Sequence, residues 1–195
     1  MKKRGKTGWA LPGIAASPRV SKAARVTVDQ VLRIEPGERV LVVTNPEPDV
    51  WTISAALAAA AAARGASVSL LLQERRTSLQ RAEDAVIHAM RSEPEVIVSV
   101  SAEKLGKDRF GLEKPYRFPG VKGAWDHIFN GLLGARRCRA LWAPSITLDM
   151  FGRTVPVDYA LMAARAARLR KALNAADRIH VASPGGTDIE IGVRG

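Results

Sequence analysis

Arg39-Val40-Leu41-Val42-Val43-Thr44 is followed by the loop Asn45-Pro46-Glu47-Pro48-Asp49, by an alanine-rich stretch from about Val50 to Arg64, by Gly65, and by Ser67-Val68-Ser69-Leu70-Leu71-Leu72. The centre of the first run is apolar without alternation and of strand length, the mark of a strand covered on both faces. The stretch from Val50 onward is rich in the strongest helix former, and Gly65 suits the left-handed position at which helices end. The last run is again a strand. Strand, helix and strand in this order make a βαβ unit.

Toward the carboxy terminus the pattern repeats. Arg81 to Arg91 carries Ala82, Ala85, Val86, Ala89 and Met90 on one helical face, and Val96-Ile97-Val98-Ser99-Val100 follows as a third strand. Beyond Asn130, Cys138-Arg139-Ala140-Leu141-Trp142-Ala143 reads as a fourth. Alternating strands and helices predict an α/β fold with a mostly parallel sheet and helices on both faces. The connection 101–137 is long for a structureless loop and holds half of the aromatic residues. It reads either as a packed satellite cluster or as a cover over a site.

Thr154, Pro156 and Asp158 together signal a helix start. Tyr159, Met162, Ala166, Leu169 and Leu173 then recur as one apolar stripe, so the helix is expected to run to about Ala176 with that stripe buried. Arg178-Ile179-His180-Val181-Ala182 is a further strand, and Ser183-Pro184-Gly185-Gly186-Thr187 is a turn. Ile189, Ile191 and Val193 then alternate with Glu190, Gly192 and Arg194 in the period of a half-buried strand, with no partner strand after it. At the other end, Ser21 to Arg33 is read as a first helix with Val26, Val31 and Leu32 among its buried positions. The expected organisation is a flexible basic arm over 1–20 and an α/β amino-terminal domain over 21–182 with an inserted segment 101–137. Residues 183–195 are expected to be a crossover turn and the first strand of a missing carboxy-terminal domain.

The chain has 195 residues, 47% hydrophobic and only 5% aromatic, so one core built largely of Ala, Val, Leu and Ile is expected. The formal net charge of +11 is scattered: one part lies in the first 25 residues, another at Arg136, Arg137 and Arg139, another at Arg165, Arg168, Arg170 and Lys171. No zinc-finger spacing, ribonucleoprotein motif or basic zipper accompanies these charges, so nucleic acid is not expected as the main partner. Cys138 is the single cysteine, which rules out an intrachain disulfide and suits a reducing cytosol. Trp9 to Ala16 is too short and too interrupted for a signal peptide, and no apolar run approaches the roughly 20 residues of a membrane span. A cytoplasmic protein with no membrane partner is expected.

The residues that carry chemistry are sparse. His88, His127 and His180 are the three histidines, and none stands in a His-Glu-x-x-His arrangement. His88 lies one turn after Asp84, the spacing of a helix-surface pair, while His127 beside Asp126 is the more interesting because it sits in the aromatic connection. His180 alternates with apolar neighbours as a sheet residue. No Gly-x-Ser-x-Gly elbow occurs, and the loop after the first strand offers prolines and carboxylates where a phosphate would need backbone donors. Cys138 among arginines has a reason for a lowered pKa, and a structural thiol is the alternative.

Three stretches together carry a family resemblance. They are Trp142-Ala143-Pro144-Ser145-Ile146-Thr147, Phe151-Gly152-Arg153-Thr154-Val155-Pro156-Val157-Asp158-Tyr159 before the long helix, and Ser183-Pro184-Gly185-Gly186-Thr187-Asp188-Ile189. Along roughly residues 25–195 the chain resembles the amino-terminal domain of the thermophilic leucyl aminopeptidase family, of the aminopeptidase T and aminopeptidase S type. Pro36-Gly37-Glu38-Arg39-Val40-Leu41-Val42-Val43 is similar to the start of that family's opening βαβ unit. The resemblance implies a two-domain, homodimeric metallopeptidase that removes amino-terminal residues from peptides. It implies two divalent metal ions, zinc, cobalt or similar, held by a carboxy-terminal domain and none by this chain. A related branch shares the fold and uses non-haem iron to open a dihydroxypyridine ring.

On this reading the chain is a non-catalytic scaffold and active-site wall, without catalytic or metal-binding residues of its own. Arg153, between Asp149 and Asp158, and the pair Thr187 and Asp188 are the candidates for a substrate-binding or structural role. Arg153 offers a fork to carboxylates at the long helix. Asp188 offers a carboxylate to nearby backbone N–H groups and would set the crossover angle. The same half of a ring-cleaving dioxygenase, and a stand-alone basic binding module, are the alternatives.

Overall fold

The computed structural model describes residues 16–193, so most of the basic arm, with Arg194 and Gly195, lies outside the described residues. Four strands, β1 (Arg39–Thr44), β2 (Ser67–Leu72), β3 (Val96–Val100) and β4 (Arg139–Trp142), form one parallel sheet in the order β2-β1-β3-β4. β1 is central, which is why Val40, Leu41, Val42 and Val43 are all buried and the strand shows no polar alternation.

The strand order decides where the helices go. The chain moves from β1 outward to β2, then reverses across β1 to reach β3. Because parallel crossovers are right-handed, a reversal of direction sends the next helix to the opposite face. Helix α2 (Pro48–Ala63) accordingly packs with α1 (Pro18–Val26) and α6 (Leu148–Thr154) against Val40, Val42, Val98 and Val100. Helices α3 (Asp84–Arg91) and α5 (Ile128–Gly134) pack on the other face against Leu41, Val43 and Ile97. The expected α/β fold, with a parallel sheet and helices on both faces, is observed.

The first helix begins earlier than its sequence signals suggest. Ser17 caps it by accepting from the Val20 N–H, Pro18 occupies its first position, and a π-helical turn over Thr27–Val31 continues it. Near the other end, Thr154 is not the cap of the long helix. It closes α6 by donating to the Met150 carbonyl at 2.8 Å, and Asp158 caps α7 (Tyr159–Ala175) by accepting from the Leu161 N–H at 2.9 Å.

The chain divides into two compact units, Met1–Pro156 and Val157–Gly195. In the second, β5 (Arg178–Ala182) and β6 (Asp188–Gly192) pair antiparallel with Ile179 opposite Ile191 and Val181 opposite Ile189. The turn expected to cross over to another domain is therefore a hairpin turn, and the partner of the last strand precedes it. Gly186 at φ +94° supplies the left-handed residue that a tight reversal needs, and the Ser183 N–H closes the loop on the Thr187 carbonyl at 2.9 Å. The apolar stripe of α7 is not buried as expected: no residue of this helix is, and Leu169 is 60% exposed. Among the described residues no helix is long and apolar enough to cross a membrane.

Candidate functional site

Open α/β sheets bind ligands outside the carboxyl ends of their strands, where neighbouring connections diverge. In this sheet that point lies between β1 and β3, and side chains occupy it. Asn45, fully buried at the end of β1, donates to the carbonyls of Gln73 and Glu74 at 3.0 and 3.1 Å and accepts from the Ala102 N–H at 2.8 Å. Gln73 donates to the Leu105 carbonyl at 2.9 Å and accepts from the Glu83 N–H at 3.1 Å. These amides tie the segments after β1, β2 and β3 together, and their hydrogen bonds are spent on backbone.

Open space lies one step along the same edge of the sheet. A cavity of about 280 Å³ is walled by the segment after β3, the start of α5 and the end of β4. Leu105, Leu112, Phe129 and Trp142 supply apolar surface, while Lys104, Lys107, Asp126 and Asn130 supply polar groups. The Lys104 ammonium lies 5.8 Å from the centroid of the Trp142 ring.

Asp108 and His127 hold this wall in place. Asp108 is 1% exposed, and its Oδ1 accepts from the N–H groups of Phe110 and Gly111, each at 3.0 Å, while Oδ2 accepts from Ile128 at 3.0 Å. It thereby caps α4 (Arg109–Glu113) and pins the first residue of α5 with one buried charge. The Tyr116 hydroxyl adds a longer contact at 3.4 Å; burial, then the Asp108 charge, pushes its pKa up to about 12. Gly111 has no room for a side chain, since a Cβ would stand 2.3 Å from the Asp126 carbonyl oxygen.

His127 uses both ring nitrogens. Nδ1 accepts from the Phe129 N–H at 3.2 Å, so Nε2 carries the proton and donates to the Gly106 carbonyl at 3.2 Å. Burial pushes its pKa below the ordinary value, against the opposing pull of Asp108 and the Gly106 carbonyl. In this neutral form the ring has no lone pair to offer a metal or a substrate proton.

The residues singled out from sequence make local contacts of their own. Arg153 pairs with Asp149 at 2.9 Å across one turn of α6, and Asp149 also faces Arg19 at 3.5 Å. Asp158 makes its bond to the Leu161 N–H instead. The Thr187 N–H donates to the Ser183 hydroxyl at 3.3 Å, and Asp188 meets His180 Nε2 at 2.6 Å across the hairpin. Arg153 is not among the residues lining the cavity, and Thr187 and Asp188 belong to the second unit. Asp84 pairs with Arg109 and not with His88, whose ring stacks 4.9 Å from that of Phe110. Burial pushes the Cys138 thiol up in pKa and outweighs the lowering by Arg139, so it is a packed thiol and not an activated one. Within the aromatic connection Phe118 and Trp125 meet edge to face at 5.8 Å and Tyr116 and Trp125 pair by backbone, while other residues of the same segment line the cavity. Among the described residues no group of three His, Cys, Asp or Glu side chains is placed to hold a metal ion, so these residues do not fit one.

No protein-family model matches the sequence, and no curated protein does. Among solved structures, the chain is similar to 2,5-dihydroxypyridine dioxygenase from Pseudomonas putida KT2440, with 16% identity and a TM-score of 0.52. The match covers 90% of this chain and 47% of that one, so the chain spans about half the length of its structural neighbour. At this identity the likeness is one of fold. It corrects the expectation that the chain is part of an aminopeptidase-like hydrolase acting on peptides, because the structural neighbour is a dioxygenase.

Proposed function

We propose that this chain is the fold-bearing, non-catalytic half of a ring-cleaving dioxygenase of the dihydroxypyridine type. The observation that carries the reading is the likeness to 2,5-dihydroxypyridine dioxygenase over 90% of this chain and about half of that one. The family branch set out in the sequence analysis implies a non-haem iron centre. The described residues supply no ligand set for it, so no step of the reaction is assigned to them. Their part is mechanical: Asn45 and Gln73 tie together the segments after β1, β2 and β3, and Asp108 ties α4 to the start of α5. We place the protein in the cytoplasm, since one cysteine and no disulfide suit a reducing compartment.

The test is oxygen uptake by the complete gene product, loaded with ferrous iron under argon and then given 2,5-dihydroxypyridine in air. Uptake that depends on the ring compound, with loss of its ultraviolet band, is the expected result. A product that takes up no oxygen overturns the reading.

A further inference from the structure

We infer that the cavity beside Trp142 is a binding site for a small planar anion, a single aromatic ring bearing a carboxylate. The inference stands on the cavity alone and does not depend on the oxygenase reading. A volume of about 280 Å³ falls at the lower edge of the range for small-molecule pockets, which suits one substituted ring and excludes a dinucleotide.

The walls set the chemistry of that ring. Leu105, Leu112 and Phe129 are apolar, and Trp142 at the end of β4 is 54% exposed, so a flat aromatic face is presented beside the cavity. A planar ring stacks on such a face at little conformational cost. The charged residues among those lining the cavity are Lys104, Lys107, Asp126 and Asp108. The Asp108 carboxylate already accepts from three backbone N–H groups and acts as part of the frame. That leaves two ammonium groups against one carboxylate. Among the described residues neither Lys104 nor Lys107 has an ion-pair partner, and the ammonium of Lys104 is held over the Trp142 ring. An anion on the ring therefore finds two lysines among the residues around it, whereas a cationic ring of the same size is disfavoured by both. The net charge of +11 raises the local concentration of anions further.

Benzoate is the probe, with the full chain and low salt. The four tryptophan side chains give separate indole N–H resonances, and Trp142→Phe identifies the one at issue. Saturable movement of the Trp142 signal is expected, with a dissociation constant that rises about tenfold in Lys104→Met and again in Lys107→Met. Both lysines lie at the surface of the cavity, and an unchanged melting temperature shows that the variants fold. Added sodium chloride weakens benzoate binding. Benzylamine, the same ring with the opposite charge, leaves the signal unmoved. A Trp142 resonance that stays still up to about 10 mM benzoate overturns the inference. So does benzylamine binding as tightly as benzoate, or a double lysine variant that keeps wild-type affinity.

Discussion

Asp108 is a carboxylate that three backbone N–H groups reach at 3.0 Å, so its removal leaves two buried donors and one part-buried donor without this acceptor. Asp108→Ala is expected to cost about 3 to 5 kcal/mol in urea unfolding, at the upper end for a single substitution. Asp108→Asn is expected to cost less, because one oxygen is kept while an amide N–H₂ is turned toward a donor. His127 gives a pH dependence of defined sign. Its folded pKa lies below the ordinary value because of burial, so the unfolded chain binds the proton more readily. The stability it contributes is complete above about pH 6.5 and is lost as pH falls through the folded value. Unfolding free energies measured from pH 8 to pH 5 should decline, and His127→Gln should flatten that decline. Little of this was legible in the residues themselves. Lys107-Asp108-Arg109 reads as an ordinary charged loop, and only the fold brings the N–H groups of α4 and α5 to one carboxylate.

Elements made of continuous apolar residues were the most legible. β1 and β3 fall on the runs that identify them, because a strand flanked by neighbours in a helix-covered sheet needs apolar residues along its length, and the edge strand β2 falls on its run as well. The short helices α4 and α5 were not legible. Each is too brief to show a period, and the caps that start them, Asp108 and His127, are not followed by the apolar repeat that would mark a helix. At the amino end of the sheet, β1 is tied to the start of β3 by Arg39. Its guanidinium meets Glu95 at 2.8 and 3.1 Å, and its N–H donates to the same carboxylate at 2.8 Å. The Arg39 hydrogen bonds hold Glu95 at a pKa of about 2, below the ordinary 4.5. The contribution is whole above pH 4.5 and is lost as pH falls toward 2, and the exposure of both side chains keeps it small. Glu95→Gln should lower stability at pH 6 and shrink the difference from wild type by pH 2.5, as read by thermal melting across that range.

Among the described residues, the buried hydrophobic side chains all lie before Pro156, nearly all of them in two clusters on opposite faces of one sheet. Residues 1–156 expressed alone should therefore unfold cooperatively. A peptide of 157–195 should melt without a cooperative transition, since it buries no side chain and an isolated two-stranded hairpin is marginal in water. Either a molten 1–156 or a sharply melting peptide contradicts this division. The sequence by itself determined the class of fold, because hydrophobic runs and helical periods follow from which faces must leave water. It also determined the sparseness of nucleophiles and metal ligands, because residue types do not depend on folding. Only the tertiary structure decided the strand order, the hairpin in place of a crossover, the spent nitrogens of His127, and the cavity between Lys104 and Trp142. Apart from the hairpin, which is local, each of those depends on groups distant in the chain meeting at hydrogen-bond or van der Waals distance, which local pattern does not encode.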